Sequence, residues 1–217
     1  MKIYSVKEAY VTLQGEGAQT GRAAVFLRFA GCNLWSGLER DRHKAVCQFC
    51  DTDFVGTNGE NGGKFEGADA LADHVASLWA AAAGAHADEA YVVCTGGEPL
   101  LQLDSPLIEA LHARGFEVGV ETNGTVAAPA GLDWICISPK ANAALVQSRG
   151  DELKLVYPQD EPEAQPERFE MLQFQHFFLQ PKDDNRQAEN IAAAAAYCMK
   201  HPKWRLSLQT HKLIGLP

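Results

Sequence analysis

The sequence predicts an α/β fold, an incomplete (β/α)6 TIM-like barrel of mostly parallel strands with several helices shortened or missing. Three observations predict it. Short β-branched or aromatic runs recur six times, at residues 24–29, 90–94, 117–120, 134–137, 152–156 and 176–179. Each ends in a polar cluster, and helical spacing fills only some of the gaps between them. Runs this short and apolar suit parallel strands covered on both faces. Six strands, fewer than a closed barrel needs, leave the barrel open.

Taken in order, residues 3–13 alternate loosely and meet Gln14-Gly15-Glu16-Gly17. Two glycines around one carboxylate make a turn that a ligand can approach closely. On spacing alone it is a hairpin turn first and a ligand turn second. Leu71, Val75, Leu78 and Trp79 at helical spacing predict a helix over 68–83. A second, over 105–114, has Asp104 before it and Gly115 after it, and a third covers 186–200. Residues 39–44 read as a solvated turn of helix, 158–166 as an acidic, proline-rich surface loop, and 205–209 as a further strand. In folds of this class the polar residues at the C-terminal strand ends gather on one face. Cys32, Glu98, Glu121, Asn123, Ser138, Lys140 and Gln180 would then converge on one mouth.

The 217 residues form one domain, 1–217, long enough to bury roughly 70% of the surface of the unfolded chain. A net charge of −9 argues against a nucleic-acid binder, which needs clustered Lys and Arg. No apolar run spans a bilayer, and the charged N-terminal segment lacks the apolar core of a signal peptide. The expected compartment is the reducing cytoplasm, where six cysteines are not expected to pair as disulfides.

Three of those cysteines carry the clearest chemistry. Cys32, Cys47 and Cys50 are separated by fourteen and two residues, after an apolar run. Three thiolates leave one position short of four ligands. In a closed zinc site, His43, Asp51 or Asp53 would supply the fourth. In an iron–sulfur cluster the open iron would take an external ligand. The residues alone leave both readings open. Cys94, Cys136 and Cys198 lie in apolar or helical runs and read as small buried hydrophobes.

The motifs around this site resemble the radical S-adenosylmethionine superfamily: Gln48-Phe49 between Cys47 and Cys50, Gly96-Gly97-Glu98-Pro99, and Ser138-Pro139-Lys140. More narrowly, LQGEG at 13–17, FLRFAGCNL at 26–34, CDTD at 50–53, TGGEPLLQ at 95–102, ETNGT at 121–125, ISPK at 137–140, FLQPKDD at 178–184 and LQTHK at 208–212 resemble the 7-carboxy-7-deazaguanine synthase family. The likeness covers nearly the whole chain, in order. The fourteen-residue spacing departs from the three-residue spacing usual in the superfamily, and the insertion at 33–46 has no predicted path.

The resemblance implies a [4Fe–4S] cluster on Cys32, Cys47 and Cys50, with S-adenosylmethionine at the open iron and Mg²⁺ at Thr52. It implies cofactor contacts from Phe49, Gly96, Gly97, Glu98, Asn123, Ser138, Lys140 and Gln180. The implied substrate, 6-carboxy-5,6,7,8-tetrahydropterin, has a guanidine-like edge suited to a carboxylate, Glu16 beside Gln14 or else Glu121. Its own carboxylate suits Arg28. Leu13, Thr95, His211 and Pro217 complete the implied substrate contacts. Ring contraction with loss of ammonia would give 7-carboxy-7-deazaguanine, a queuosine precursor, by chemistry that the cofactors carry and no side chain performs. A reductant such as flavodoxin or ferredoxin and a homodimer are also implied. Two rivals remain: an activase using the same cluster on a partner protein, and a zinc-stapled binding module.

Overall fold

A computed structural model describes residues 2–217, with side chains for all of these except 85–87. The sheet begins with β1 (Ile3–Leu13), β2 (Ala23–Phe29) and β3 (Gly63–Glu66). Helix α1 (Ala68–Ala83) leads to β4 (Tyr91–Gly96), and α2 (Ser105–His112) to β5 (Glu117–Thr122). Then come β6 (Trp134–Ile137), β7 (Arg149–Tyr157), β8 (Gln173–Pro181), α3 (Gln187–Lys200), β9 (Trp204–Leu206) and α4 (Thr210–Ile214).

The strands form one sheet in the order β3-β1-β2-β4-β5-β6-β7-β8-β9. From β2 to β9 every pairing is parallel, and β1 lies antiparallel between β2 and β3. The incomplete six-strand barrel is therefore corrected: among the described residues the strands form an open nine-stranded sheet with β3 and β9 at its edges. The excess has physical causes. The loosely alternating opening segment is a full strand that pairs across a hairpin with β2. The short β3, Gly-Lys-Phe-Glu, carries too little apolar character to announce itself. All three predicted helices are present, with the C-terminal helix α4 in addition.

One face of the sheet is apolar throughout, while the other carries a small apolar cluster of Ala24, Phe26, Tyr91 and Val93 beside a polar cavity. Val25, Leu27, Val92, Cys94, Val118 and Val120 pack with Leu71, Val75, Leu107 and Leu111 of α1 and α2. Leu153, Leu155, Phe177 and Leu179 pack with Ala194 of α3 and with Trp204. On the alternate positions stand Arg28, Thr95, Glu121, Lys154 and Gln180, which line a cavity. The expectation of parallel strands covered on both faces is thus corrected. Helices cover one face, and the period-2 alternation turns the polar residues of β5, β7 and β8 inward.

The segment after β1 crosses to the far end of the sheet. Gly15 O accepts from the Thr210 amide at 2.9 Å, Gly17 N–H donates to Ser207 Oγ at 2.9 Å, and Ala18 N–H to Glu152 Oε2 at 2.8 Å. One backbone–backbone bond and two backbone–side-chain bonds bridge the gap that strand pairing leaves open. Both glycines of the turn are required here. A Cβ on Gly15 would meet His211 Nδ1 at 2.0 Å, and one on Gly17, where φ is +66°, would meet Glu152 Oε1 at 1.9 Å.

Candidate active site

The cavity, about 500 Å³, lies within the range of roughly 300–1,000 Å³ usual for small-molecule sites. Every residue that the family resemblance implied as a site residue lines it except Glu98. Residues spread from Leu13 to Pro217 meet because the strands are parallel: their polar C-terminal ends lie on one side of the sheet.

One wall is the thiol wall. Cys32 follows β2, while Cys47, Phe49 and Cys50 stand in the irregular segment after a 3-10 turn at Glu39–Lys44. Among the described residues, no three His, Cys, Asp or Glu side chains form a ready cage for a single ion. The fourth-ligand candidates for zinc are engaged or turned away. Asp51 pairs with Lys212 at 2.8 Å and Asp53 with Lys7 at 2.8 Å, while His43 is exposed and off the cavity. Asp53 also accepts from the Val55 amide at 3.0 Å, so it caps its own turn.

Burial pushes the Cys32 and Cys47 thiols above the ordinary cysteine range. Backbone N–H groups work against that shift. The Leu34 amide faces the Cys32 sulfur at 3.4 Å, with that of Trp35 beside it, and the Phe49 amide serves Cys47. Trp35 lines the same cavity, and its buried indole N–H has no hydrogen-bond partner among the described residues. Three thiols on one cavity lining fit a group that binds thiolates. Lys140, whose Nζ donates to Ser138 Oγ at 2.6 Å, adds a cation that burial holds below the usual lysine range.

The insertion is more than a solvated turn. Arg42 Nη1 donates to the Gln48 and Cys50 carbonyls at 2.9 and 3.0 Å, and its guanidinium lies 4.2 Å from the centre of the Trp35 ring. Trp35 in turn packs edge-on to Phe54. Residues 33–46 thus fold back as a brace for the thiol segment.

Glu98 stands apart. It is 0% exposed, and its carboxylate accepts from the Leu100 amide at 3.0 Å, Thr122 Oγ1 at 2.7 Å and the Asn123 amide at 2.8 Å. Burial raises its pKa against those three bonds. This carboxylate, implied as a cofactor contact, braces the exit of β5 and, through it, Asn123. Asn123 Nδ2 donates to Asn33 Oδ1 at 3.1 Å, linking that exit to the thiol wall.

The opposite side is a carboxylate floor. Glu16 accepts from Gln180 Nε2 at 2.9 Å and Gln209 Nε2 at 3.0 Å, and forms a short ion pair with Lys154. Glu121 accepts from Gln14 Nε2 at 2.8 Å and from Lys154 Nζ at 3.2 Å. Burial alone would raise the Glu16 pKa, but the charge and hydrogen bond of Lys154, helped by Gln209, hold it at about 2. Gln180, expected beside the cofactor, points its amide at Glu16. Between floor and thiol wall, Arg28 is anchored by Glu8 at 2.8 Å and Tyr10 at 3.3 Å. Thr52 lines the cavity with its hydroxyl 3.5 Å from Asp51. Pro217 lies near β1, its carbonyl oxygen 3.4 Å from Thr12 Oγ1.

Sequence reasoning missed Lys154, Gln209 and Lys212. Lys154 left a signal: a lysine at the centre of an otherwise apolar strand, two residues from Glu152, marks an inward polar face. Lys212 joins Asp51 to Asp183 across the cavity mouth, with distances of 2.8 and 2.5 Å, a link that no spacing reveals.

No protein-family model matches the chain. It is 63% identical over 214 residues to a 7-carboxy-7-deazaguanine synthase from Caulobacter vibrioides and 61% identical over 214 residues to one from Bordetella pertussis, covering 99% of each chain in both cases. The crystal structure of QueE from Escherichia coli shares the fold, with a TM-score of 0.67 over 95% of this chain and 93% of that one, at 24% identity. With full-length identity at this level, the chain belongs to the 7-carboxy-7-deazaguanine synthase family.

Proposed function

We propose that this chain, acting as one domain, converts 6-carboxy-5,6,7,8-tetrahydropterin to 7-carboxy-7-deazaguanine and ammonia, using a [4Fe–4S] cluster on Cys32, Cys47 and Cys50 and S-adenosylmethionine. The observation that carries this reading is that three thiols and two carboxylates line one cavity. When bound, the cluster and S-adenosylmethionine supply radical chemistry that no side chain offers.

The chain's own residues bind, orient and exclude water. The turn at Gly96 and Gly97 offers backbone groups at the thiol wall. Asn123, Ser138 and Lys140 hold the cofactor's polar groups, and Phe49 its base. Glu16 and Glu121 accept the N–H edge of the pterin, steadied by Gln14, Gln180 and Gln209. Arg28 meets the substrate carboxylate through its Nη groups, with Glu8 fixing the guanidinium from the Nε side. Leu13, Thr95, His211 and Pro217 close the pocket around the ring. Mg²⁺, which keeps several waters and accepts few protein ligands, fits at the Thr52 hydroxyl. Asp51 and Asp53, committed to lysines, would not be its ligands.

A homodimer, a flavodoxin or ferredoxin reductant and a cytoplasmic setting complete the proposal. Six unpaired cysteines support a reducing compartment. Among the described residues no helix is long and apolar enough to cross a membrane. Anaerobic reconstitution tests the reading: about four iron per chain are expected, with turnover of the carboxytetrahydropterin in the presence of S-adenosylmethionine and reductant. One tightly held zinc, or cofactor cleavage with the pterin left intact, would overturn it.

A further inference from the structure

The carboxylate floor contains a group that the proposed reaction does not use. Lys154 is 4% exposed and sits on β7 between Leu153 and Leu155, which face the helices. Its ammonium is shared by Glu16 from the 14–17 turn and Glu121 from β5. A lysine buried this far from water is costly unless each charge it neutralises needs it. Two carboxylates brought together on an enclosed floor repel, and one would take up a proton, as paired buried acids do. A protonated acid donates where the proposed substrate edge also donates.

We infer that Lys154 is the positioning residue of this site: it holds Glu16 and Glu121 side by side as paired acceptors for the donor edge of the heterocycle. The inference rests on the substrate assigned above and deepens it. Lys154 touches one oxygen of each carboxylate, Oε2 in both cases. The other oxygens take side-chain amides, from Gln180 and Gln209 on Glu16 and from Gln14 on Glu121. Amides are neutral donors that a stronger donor pair can displace, whereas the lysine is fixed by its strand.

The other charged and titratable groups around the floor do not replace it. Glu152 on β7 is tied to the Ala18 amide and to the Cys136 thiol of β6. Tyr91 of β4, near Glu121, is buried. His211 of α4 approaches Glu16 from the cavity side, against Gly15. Lys140 reaches Ser138 and the thiol wall, so Lys154 is the cation in contact with both carboxylates.

The test uses the anaerobically reconstituted enzyme. Wild-type turnover of the carboxytetrahydropterin comes first, because its absence would refute the substrate assignment and leave Lys154 out of account. Given turnover, Lys154→Met should raise KM about ten-fold or more, lower kcat by less, and move the acid limb of kcat/KM up by about one pH unit or more. Iron per chain should stay at the wild-type value. Lys154→Arg, which keeps the charge, should return the acid limb to its wild-type position even if KM remains raised. An unchanged KM, or a raised KM with an unmoved acid limb, would overturn the inference, since lost packing alone gives the latter. If Lys154→Met does not fold, the wild type decides by direct titration of pterin binding. Affinity should stay level from about pH 8 to about pH 6, and a ten-fold fall in that window would refute a pair held ionised by its lysine.

Discussion

The thiol wall and the carboxylate floor face one cavity and are built in opposite ways. The floor is satisfied by the protein itself: each carboxylate has a buried cation and side-chain amides, and stands on or against a regular strand. The wall is an irregular segment whose thiols and indole N–H lack equivalent partners, braced from outside by Arg42. A floor built this way holds its two carboxylates in place before binding, and only side-chain amides have to give way to an incoming polar edge. A wall built this way is completed by what it binds, so folding and loading are linked there.

Four substitutions break or sharpen that contrast. Cys32→Ala should have the largest effect, lowering iron content after reconstitution and taking pterin turnover to background, while the floor still binds pterin. Loss of pterin binding in that variant would mean that the two sides are not separable. Glu16→Gln should keep its iron and lose kcat/KM by roughly 10- to 100-fold, mostly in KM, as expected for one charge-assisted hydrogen bond and the lysine left less well paired. Gly17→Ala should cost about 2–4 kcal/mol in a denaturant titration, because it combines a left-handed φ with a clash against Glu152. Arg42→Ala, removing two partly exposed bonds to the thiol segment, should cost only about 1 kcal/mol. It should speed iron loss to a chelator and leave pterin affinity unchanged.

The pH dependences also separate the two sides. The Glu16 pKa falls from its ordinary 4.5 to about 2 on folding, so its contribution to stability is complete above the first value and is lost as pH falls towards the second. Urea midpoints measured across that window should drop in wild type and drop less in Glu16→Gln. The raised thiols of Cys32 and Cys47 must lose protons to bind metal, so iron uptake should slow as pH falls below their range.

How legible each side was in the sequence follows from its construction. Cys32, Cys47 and Cys50 lie within nineteen positions of one another, and the thiol wall could be read from their spacing. Arg28, Glu16 and Glu121 could be named, but not their partners: Lys154 is 138 positions from Glu16, and Gln209 is 193. Glu98 was read as a ligand from its motif, yet its carboxylate braces Thr122 and Asn123, because a buried acid takes the nearest donors.

The sequence by itself determined the family, the alternation of strands and helices, and the thiol triplet, because these depend on local spacing and on residue types that carry distinct chemistry. Only the tertiary structure decided that the open sheet gains an antiparallel edge from β1 and β3, that the 14–17 turn bridges it to β7 and α4, and that one buried lysine serves two carboxylates. Those features depend on which side chains meet across a sheet of nine strands, and local periodicity holds no record of such distances.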